Sequence, residues 1–305
     1  MTVSCRSCPV CGTGHESAAL FFENNIDPAK LSSFSFASRK SPEFMCHRLV
    51  QCPTCDLVYA NQPPSEGELS HAYHAADYDS SEEANDAAVA YIQAMQSALR
   101  AIANKQSAFE IGTGTGVLLE HLSKAGFASL VGVEPSSAAI AAAPKHRQAW
   151  IREGMFYEND FEPASFDLVC CFMTMEHVRD PKVIANAAFR LLRPGGIFVT
   201  VTHNYRSLVN RLLGKRSPII DIEHMQLFSD QSIRYLFDAV GFTQVEVKGF
   251  SNTYSIIYWA RLSPLPGRIK EIALRLLNSL GRGKAKLSVN VGNSMTIGIK
   301  PNSAS

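Results

Sequence analysis

Phe109-Glu110-Ile111-Gly112-Thr113-Gly114-Thr115-Gly116 follows a short apolar run, Ala108 to Ile111, and opens an amphipathic segment, Val117 to Ala125. Glycine at alternate positions lets the backbone turn sharply and lets a ligand approach without meeting a Cβ. The N–H groups that begin the following helix then face that ligand. Gly126 closes the helix, and the next apolar run, Ser129 to Val133, ends at Glu134. A carboxylate there can accept hydrogen bonds from both hydroxyls of a ribose, as acids at the second strand do in dinucleotide folds. The G-x-G-x-x-G fingerprint of those folds does not fit: its last glycine would fall on Val117 counted from Gly112, or on Leu119 counted from Gly114. The phosphate-binding P-loop does not fit either, because no Gly-Lys-Ser/Thr follows. The bland alternative is a turn with only a structural role.

Working outward from this turn, residues 108–250 alternate apolar runs (Phe166 to Phe172 and Ile197 to Val201 among them) with amphipathic segments. That alternation predicts βα units around a parallel sheet covered on both faces, an α/β fold. We place this domain at 106–305, with an insertion at 203–228. Residues 63–105 read as a helical connector or lid: Val89, Ile92, Met95, Leu99 and Ile102 share helical spacing between Ala87 and Ile102. Residues 1–62 form a small cysteine-rich module. Near the C-terminus a basic amphipathic stretch, Arg268 to Leu280, is expected to be a helix covering the sheet, with a membrane surface as the other reading. A β-like run, Asn293 to Ile299, follows.

The formal net charge of +1 gives no broad attraction to nucleic acid or anionic lipid. No run approaches the roughly 20 apolar residues of a membrane-spanning helix. The opening MTVSCRSCPVCGTG lacks the apolar core of a signal peptide, so a cytoplasmic location is expected. Of eight cysteines, Cys5, Cys8, Cys11, Cys46, Cys52 and Cys55 crowd the first module, which in a reducing compartment points to metal rather than disulfides. Cys8-Pro9-Val10-Cys11-Gly12 and Cys52-Pro53-Thr54-Cys55-Asp56 are two C-x-x-C knuckles, and their four thiolates suit a structural Zn2+. The knuckles stand about 40 residues apart, beyond the usual roughly 15–20. Cys5 and Cys46 are spare, Cys5 can replace Cys8, and reactive thiols are the alternative. Cys170 and Cys171 lie in an apolar run and are read as packing.

These motifs resemble the class I S-adenosylmethionine (SAM)-dependent methyltransferases. Their acidic-x-G-x-G-x-G motif is matched by Glu110 to Gly116, their second-strand acid by Glu134, their fourth strand by Phe166-Asp167-Leu168-Val169, and their L-x-P-G-G motif by Leu191 to Gly196. The resemblance covers about residues 105–250. It implies a Rossmann-like sheet with helices on both faces and SAM as methyl donor. Glu110, Gly112, Thr113, Gly114 and Gly116 would surround the methionine part, and Glu134 the ribose. Relatives place an acid just after a glycine beyond the third strand to meet the adenine amino group. Here Gly154 is followed by Met155-Phe156, which are expected to pack on the adenine face. Pro135 and Met173 complete the cofactor set.

Thr174 to Pro181 follow the fourth strand, and ligands in open α/β sheets bind beyond such strand ends. Transfer to a hydroxyl calls for a base as charge develops, and histidine's pKa of about 6.5 suits that task. His177 is the first candidate; in the alternative reading it only shapes the cofactor pocket. Glu176 can bind the acceptor, orient His177 or cap the next helix. His203 and His224, in the insertion, are further candidate bases. Arg211, Lys215 and Arg216 either meet a phosphate-bearing acceptor or form a solvated basic face, and Asp221 to Phe228 read as a substrate lid.

The cysteine module followed by Pro64 to Leu69, Tyr73 and Tyr78 resembles a subgroup of bacterial methyltransferases with an N-terminal zinc ribbon. It includes nucleotide-sugar methyltransferases and enzymes of surface-glycan pathways. By that resemblance the module covers the acceptor site, Tyr73, His74 and Tyr78 reach the acceptor, and the acceptor is a sugar or glycan precursor. An RNA methyltransferase and a non-catalytic SAM-binding protein are the competing readings. In the first 60 residues Arg6, Lys30, Arg39, Lys40 and Arg48 are balanced by Glu16, Glu23, Asp27, Glu43 and Asp56, which weighs against nucleic acid. The methylated atom and the oligomeric state stay open.

Overall fold

In a computed structural model of the chain, which describes residues 5–37, 42–78, 81–280 and 283–302, the apolar runs form one mostly parallel sheet. Its strands are β4 (Ser107–Ile111), β5 (Ser129–Glu134), β6 (Ile151–Glu153), β7 (Phe166–Phe172), β8 (Leu192–His203), β10 (Thr243–Ser255) and β11 (Lys286–Ile299). They lie in the order β10-β11-β8-β7-β4-β5-β6. β4 to β8 pair in parallel, and β10 and β11 add antiparallel at one edge. β4 and β7 are buried along their whole length, as strands covered on both faces require. Strand alternation sends Cys171 to the core holding Phe109, Val169 and Phe198, and Cys170 to the core holding Leu119, Leu168 and Val199, so both thiols pack.

The helices of this layer are α4 (Val117–Lys124), α5 (Ser137–Ala142), α6 (Lys145–Gln148), α7 (Pro181–Leu191), α8 (Leu208–Leu213), α9 (Asp230–Val240), α10 (Ile256–Leu262) and α11 (Gly267–Ser279). Their ends are written in the sequence. Asp180 caps α7 by accepting from the N–H groups of Lys182 and Val183, with Pro181 at the first helical position. Ser229 caps α9, and Gly241 ends it in the left-handed conformation. The connector holds α1 (Glu66–His74), α2 (Ser81–Ala94) and α3 (Gln96–Ala101). The expected single helix over 87–102 thus begins earlier and breaks at Met95, which is fully buried.

Two arrangements differ from the sequence reading. α11 does not cover the sheet: it packs on α10 and buries none of its residues. Helices α2, α4 and α9 already pack on the strands, α2 also on α4 and α9 on α7, and α10–α11 branch off the far end of the β10–β11 ribbon. The cysteine module is also not closed on itself. Its strands β1 (Ala19–Phe22), β2 (Leu49–Gln51) and β3 (Val58–Ala60) form an antiparallel sheet completed by β9 (Gln226–Leu227), from within the 203–228 insertion.

Polar side chains fasten the module to the large domain. The half-buried Arg6 guanidinium donates to the carbonyls of Ala60 at 2.8 Å and Met225 at 3.3 Å, and to that of Arg179. Burial, then neighbouring Arg179, lowers its pKa to about 10. Asp56 pairs with Arg206 and accepts from the Tyr205 hydroxyl at 2.8 Å and from Gln51 at 2.7 Å. Burial alone would raise its pKa, but these donors hold it at about 2. Buried carboxylates are tolerated only when satisfied in this way.

Candidate functional site

The glycine turn sits where β4 ends against β5. The N–H groups of Gly112 and Thr113 both donate to Val133 O, at 2.9 and 3.0 Å, which folds the turn back over the neighbouring strand. Gly112 has φ of +74°, and a Cβ there would lie 2.4 Å from Thr174 Oγ1. Only glycine fits both demands. Gly112→Ala is therefore expected to push Thr174 and the loop after β7 outward. Left-handed strain alone costs about 1–2 kcal/mol, so a lower melting temperature, read by calorimetry, is the expected outcome.

Glu134, at the end of β5, is buried. One carboxylate oxygen accepts from Gly114 N at 2.7 Å and the other from Ser136 N at 2.9 Å. Burial raises its pKa and these two N–H groups oppose the rise. The result is a carboxylate fixed in place, with lone pairs left for a ligand's hydroxyls. Glu110, on β4, accepts from the Thr113 hydroxyl and stiffens the turn from below. Met173, just past β7, has φ of +51°, a costly backbone for a non-glycine residue of the kind found at functional sites.

A cavity of about 540 Å3 runs from this turn toward α1 and α10, within the range of small-ligand sites. Glu110, Gly112, Thr113, Gly114, Glu134, Pro135, Met155, Phe156 and Met173 all line it. Phe156 also packs on the Phe109 ring, centroids 5.6 Å apart, which fixes its exposed face. Gly116 is not a wall residue: it adopts φ of +67° and starts α4. The wall facing the turn is largely aromatic, with Phe36, Tyr73, Tyr91, Tyr254 and Trp259.

His177, His203 and His224 also line the cavity. The His224 ring stands 4.9 Å from that of His177 and 5.8 Å from that of His203, centroid to centroid. The Nδ1 edge of His177 meets Glu223 Oε2 at 3.3 Å and the Tyr73 hydroxyl at 3.1 Å. Neither contact uses Nε2. Burial alone would lower the pKa of His177, but the Glu223 carboxylate reverses this and the net shift is upward. His224 goes the other way: burial, then the charge on His177, lowers it to about 4. Its Nδ1 lies 2.7 Å from Ile219 O, which sets the ring's orientation.

Glu176 is fully buried and does not line the cavity. It accepts from His203 N at 2.6 Å, and its own carbonyl accepts from Met225 N at 2.7 Å. Burial would raise its pKa, but the three histidines, His203 first, hold it down. Its side chain ties the loop after β7 to β8, and its carbonyl ties that loop to the insertion. Arg211, Lys215 and Arg216 face solvent and are absent from the cavity wall, so the phosphate reading of that cluster finds no support there. His74 is exposed and meets Pro135 O at 3.3 Å from outside, while Tyr73 and Tyr78 face the cavity.

Reasoning from sequence placed Glu223 in the 221–228 lid but missed its pairing with His177, and missed the wall residues Phe36, Tyr91, Tyr254 and Trp259. The signal for Glu223 was the Glu-His dipeptide Glu223-His224, which repeats Glu176-His177. Tyr73, carried on α1 from the connector, is joined to His177 only by the fold.

The two cysteine knuckles share one geometry. Gly12 (φ +79°) and Asp56 (φ +67°) each follow a second cysteine, and each donates its N–H back to the first, at 2.9 Å to Cys8 O and 3.1 Å to Cys52 O. Cys8 and Cys55 sulfurs lie 3.5 Å apart, Cys11 and Cys52 sulfurs 3.4 Å, and all four within 4.8 Å of one another. Zinc–sulfur bonds of about 2.3 Å in a tetrahedron set sulfurs about 3.8 Å apart, so the donor set and its spacing fit a zinc ion.

The family described as a methyltransferase domain matches residues 82–247. The ubiquinone biosynthesis O-methyltransferase of Pseudomonas fluorescens (strain SBW25) is 29% identical over 116 residues, 34% of this chain and 48% of that protein. The protein of the same name from Methylococcus capsulatus is 31% identical over 117 residues, 36% of this chain and 49% of its own length. The chain spans about half the length of the curated relatives it matches. Among solved structures, a SAM-dependent methyltransferase of Archaeoglobus fulgidus superposes with a TM-score of 0.49 at 14% identity, covering 70% of this chain and 94% of that one. A possible histamine N-methyltransferase of Thermotoga maritima gives 0.47 at 20% identity, covering 72% and 91%.

Proposed function

The chain belongs to the methyltransferase-domain family, a class I SAM-dependent fold, and we propose that it transfers the methyl group of SAM to a hydroxyl of an uncharged small-molecule acceptor. One observation carries this reading: the glycine turn with Glu134 and the His177–Glu223 pair open into the same cavity. SAM supplies an electrophilic methyl on a sulfonium. Glu134 holds the ribose, the turn from Glu110 to Gly114 faces the methionine part, and Met155 and Phe156 pack on the adenine. His177 Nε2 takes the acceptor proton while Glu223 orients the ring and stabilises its charged form. The aromatic wall excludes water and aligns the acceptor oxygen with the methyl group.

The charge of the wall favours an uncharged acceptor. Asp221 and Glu223 stand beside the histidines, and Arg179 is the one fixed cation among the described residues lining the cavity. Carboxylates and aromatic faces suit a phenol or a neutral sugar ring, both donors of hydroxyl hydrogen bonds. The O-methyltransferase relatives support oxygen as the atom methylated. A glycan precursor remains the second acceptor reading, on the same carboxylate and aromatic surface. Cys8, Cys11, Cys52 and Cys55 are assigned a structural zinc that keeps the module folded against this site.

Purified protein incubated with methyl-labelled SAM and matched panels of phenols, neutral sugars, nucleotide sugars and total RNA tests the reading. Label is expected in phenols or neutral sugars ahead of nucleotide sugars. Label in RNA alone, or undisturbed SAM binding in Glu134→Ala, overturns it.

A further inference from the structure

α11 is amphipathic in sequence, but among the described residues its apolar stripe has no protein partner. Ile269, Ile272, Leu276 and Leu280 recur at three- and four-residue spacing, which gathers them on one face. They are 52%, 59%, 55% and 68% exposed, and Leu265, just before the helix, adds to the stripe at 43%. Leu274, across the helix from the stripe, and Leu277, at its flank, are the half-buried leucines, in a helix that packs on α10. An isolated exposed leucine needs no explanation, but a contiguous stripe does.

The sequence that carries this stripe is strongly basic. Between residues 261 and 286 the sequence holds Arg261, Arg268, Lys270, Arg275, Arg282, Lys284 and Lys286 against a single acid, Glu271, although the whole chain carries a net charge of only +1. At 3.6 residues per turn Arg268 and Arg275 fall beside the stripe, at its boundary with the polar face. Long cationic side chains at that boundary can keep their stems in an apolar phase and their heads at phosphate level.

We propose that the outer face of α11 docks onto an anionic phospholipid bilayer, lying in the headgroup boundary. No helix among the described residues is long and apolar enough to cross a membrane, so the mode is surface attachment. A second copy of the chain is the worse occupant, since a two-fold contact through this face would bring two sets of the same cations together. The position has a use. Tyr258, Trp259 and Leu262 of α10 line the acceptor cavity, and α11 packs on α10. A docked α11 therefore holds the cavity one helix away from the lipid, where a lipid-borne hydroxylated acceptor would be found.

The test is flotation of the full-length protein with vesicles of phosphatidylcholine alone, or of phosphatidylcholine with a third phosphatidylglycerol. Binding is expected only with the anionic vesicles and is expected to weaken with salt. Removing Arg268 and Arg275 together by alanine substitution should cost about fivefold per cation. Ile272→Glu with Leu276→Glu should abolish flotation while leaving SAM binding and melting temperature unchanged, because both side chains are exposed. Equal recovery on the two vesicle types, or none on either, overturns the proposal. So does a salt-stable dimer in light scattering that the glutamate pair converts to monomer, which would assign the stripe to a second copy.

Discussion

His177→Ala is expected to lower kcat about 10²- to 10⁴-fold, the usual contribution of a positioned base, with SAM affinity within a few-fold of the parent. The separation follows from the geometry. His177 meets Glu223 and Tyr73 through Nδ1, whereas the nucleotide is assigned to the turn and Glu134, whose hydrogen bonds to Gly114 and Ser136 do not involve it. The pH profile gives the sharper readout. The Glu223 carboxylate holds the pKa of His177 above 6.5 against the effect of burial. The ring is a free base only above that raised value, so kcat should climb with pH through the neutral range and then level. Glu223→Gln removes the charge that raises the pKa. The ascending limb should then move to lower pH, and the plateau should drop because a weaker base drives proton transfer less well. His224, at about 4, is neutral throughout this range and cannot produce the same limb. An unshifted profile in Glu223→Gln, or full activity in His177→Ala, removes His177 from the base role. It would leave positioning and exclusion of water as the source of the rate.

The parts of the molecule legible in the sequence are those governed by short-range rules. The turn at Gly112 to Gly116, the carboxylate of Glu134 and the buried runs of β4, β5, β7 and β8 are each fixed by a few neighbouring residues. The structure places them where the spacing implied. The three histidines were legible for the same reason, since they lie at or just beyond strand ends or in the insertion. Contacts made across long stretches of chain were not legible. β9 pairs with β3, Arg6 reaches carbonyls of the loop after β7 and of the insertion, and Tyr73, expected only to reach the acceptor, meets His177. A two-residue strand has no periodicity to detect, and a guanidinium that caps carbonyls carries no motif. α11 fails in the opposite way. Its pattern is plainly amphipathic, but amphipathicity states only that one face seeks an apolar partner, not that the partner is this sheet. For Glu176 the sequence left three roles open, because its place beside His177 does not show that the side chain turns into the core.

Stripping zinc, or replacing one ligand by Cys52→Ser, should abolish methyl transfer and yet spare much of the SAM affinity. The expectation rests on the assigned zinc and on what the module touches. β1, β2 and β3 are short strands in a segment with no long helix among its described residues, and a core this small does not hold itself together. A structural zinc site supplies about 10–16 kcal/mol in isolated zinc-binding peptides, more than such a module can replace. Once the knuckles open, β3 no longer pairs with Gln226 and Leu227, and Arg6 no longer reaches the carbonyls of Arg179 and Met225. Those contacts position the chain that carries Glu223 and His224 against the loop that carries His177. The acceptor side should therefore loosen while β4, β5 and the glycine turn, whose hydrogen bonds lie within the large sheet, persist. Metal analysis should find one zinc per chain, calorimetry should show SAM binding weakened only modestly after chelation, and the labelled-methyl assay should fall to background. Proton exchange should rise in residues 5–62 and 203–228 together, since the shared sheet makes them one cooperative unit. If exchange rises in the module alone and methyl transfer continues, the module is a separate appendage and its pairing with β9 has no part in forming the acceptor site.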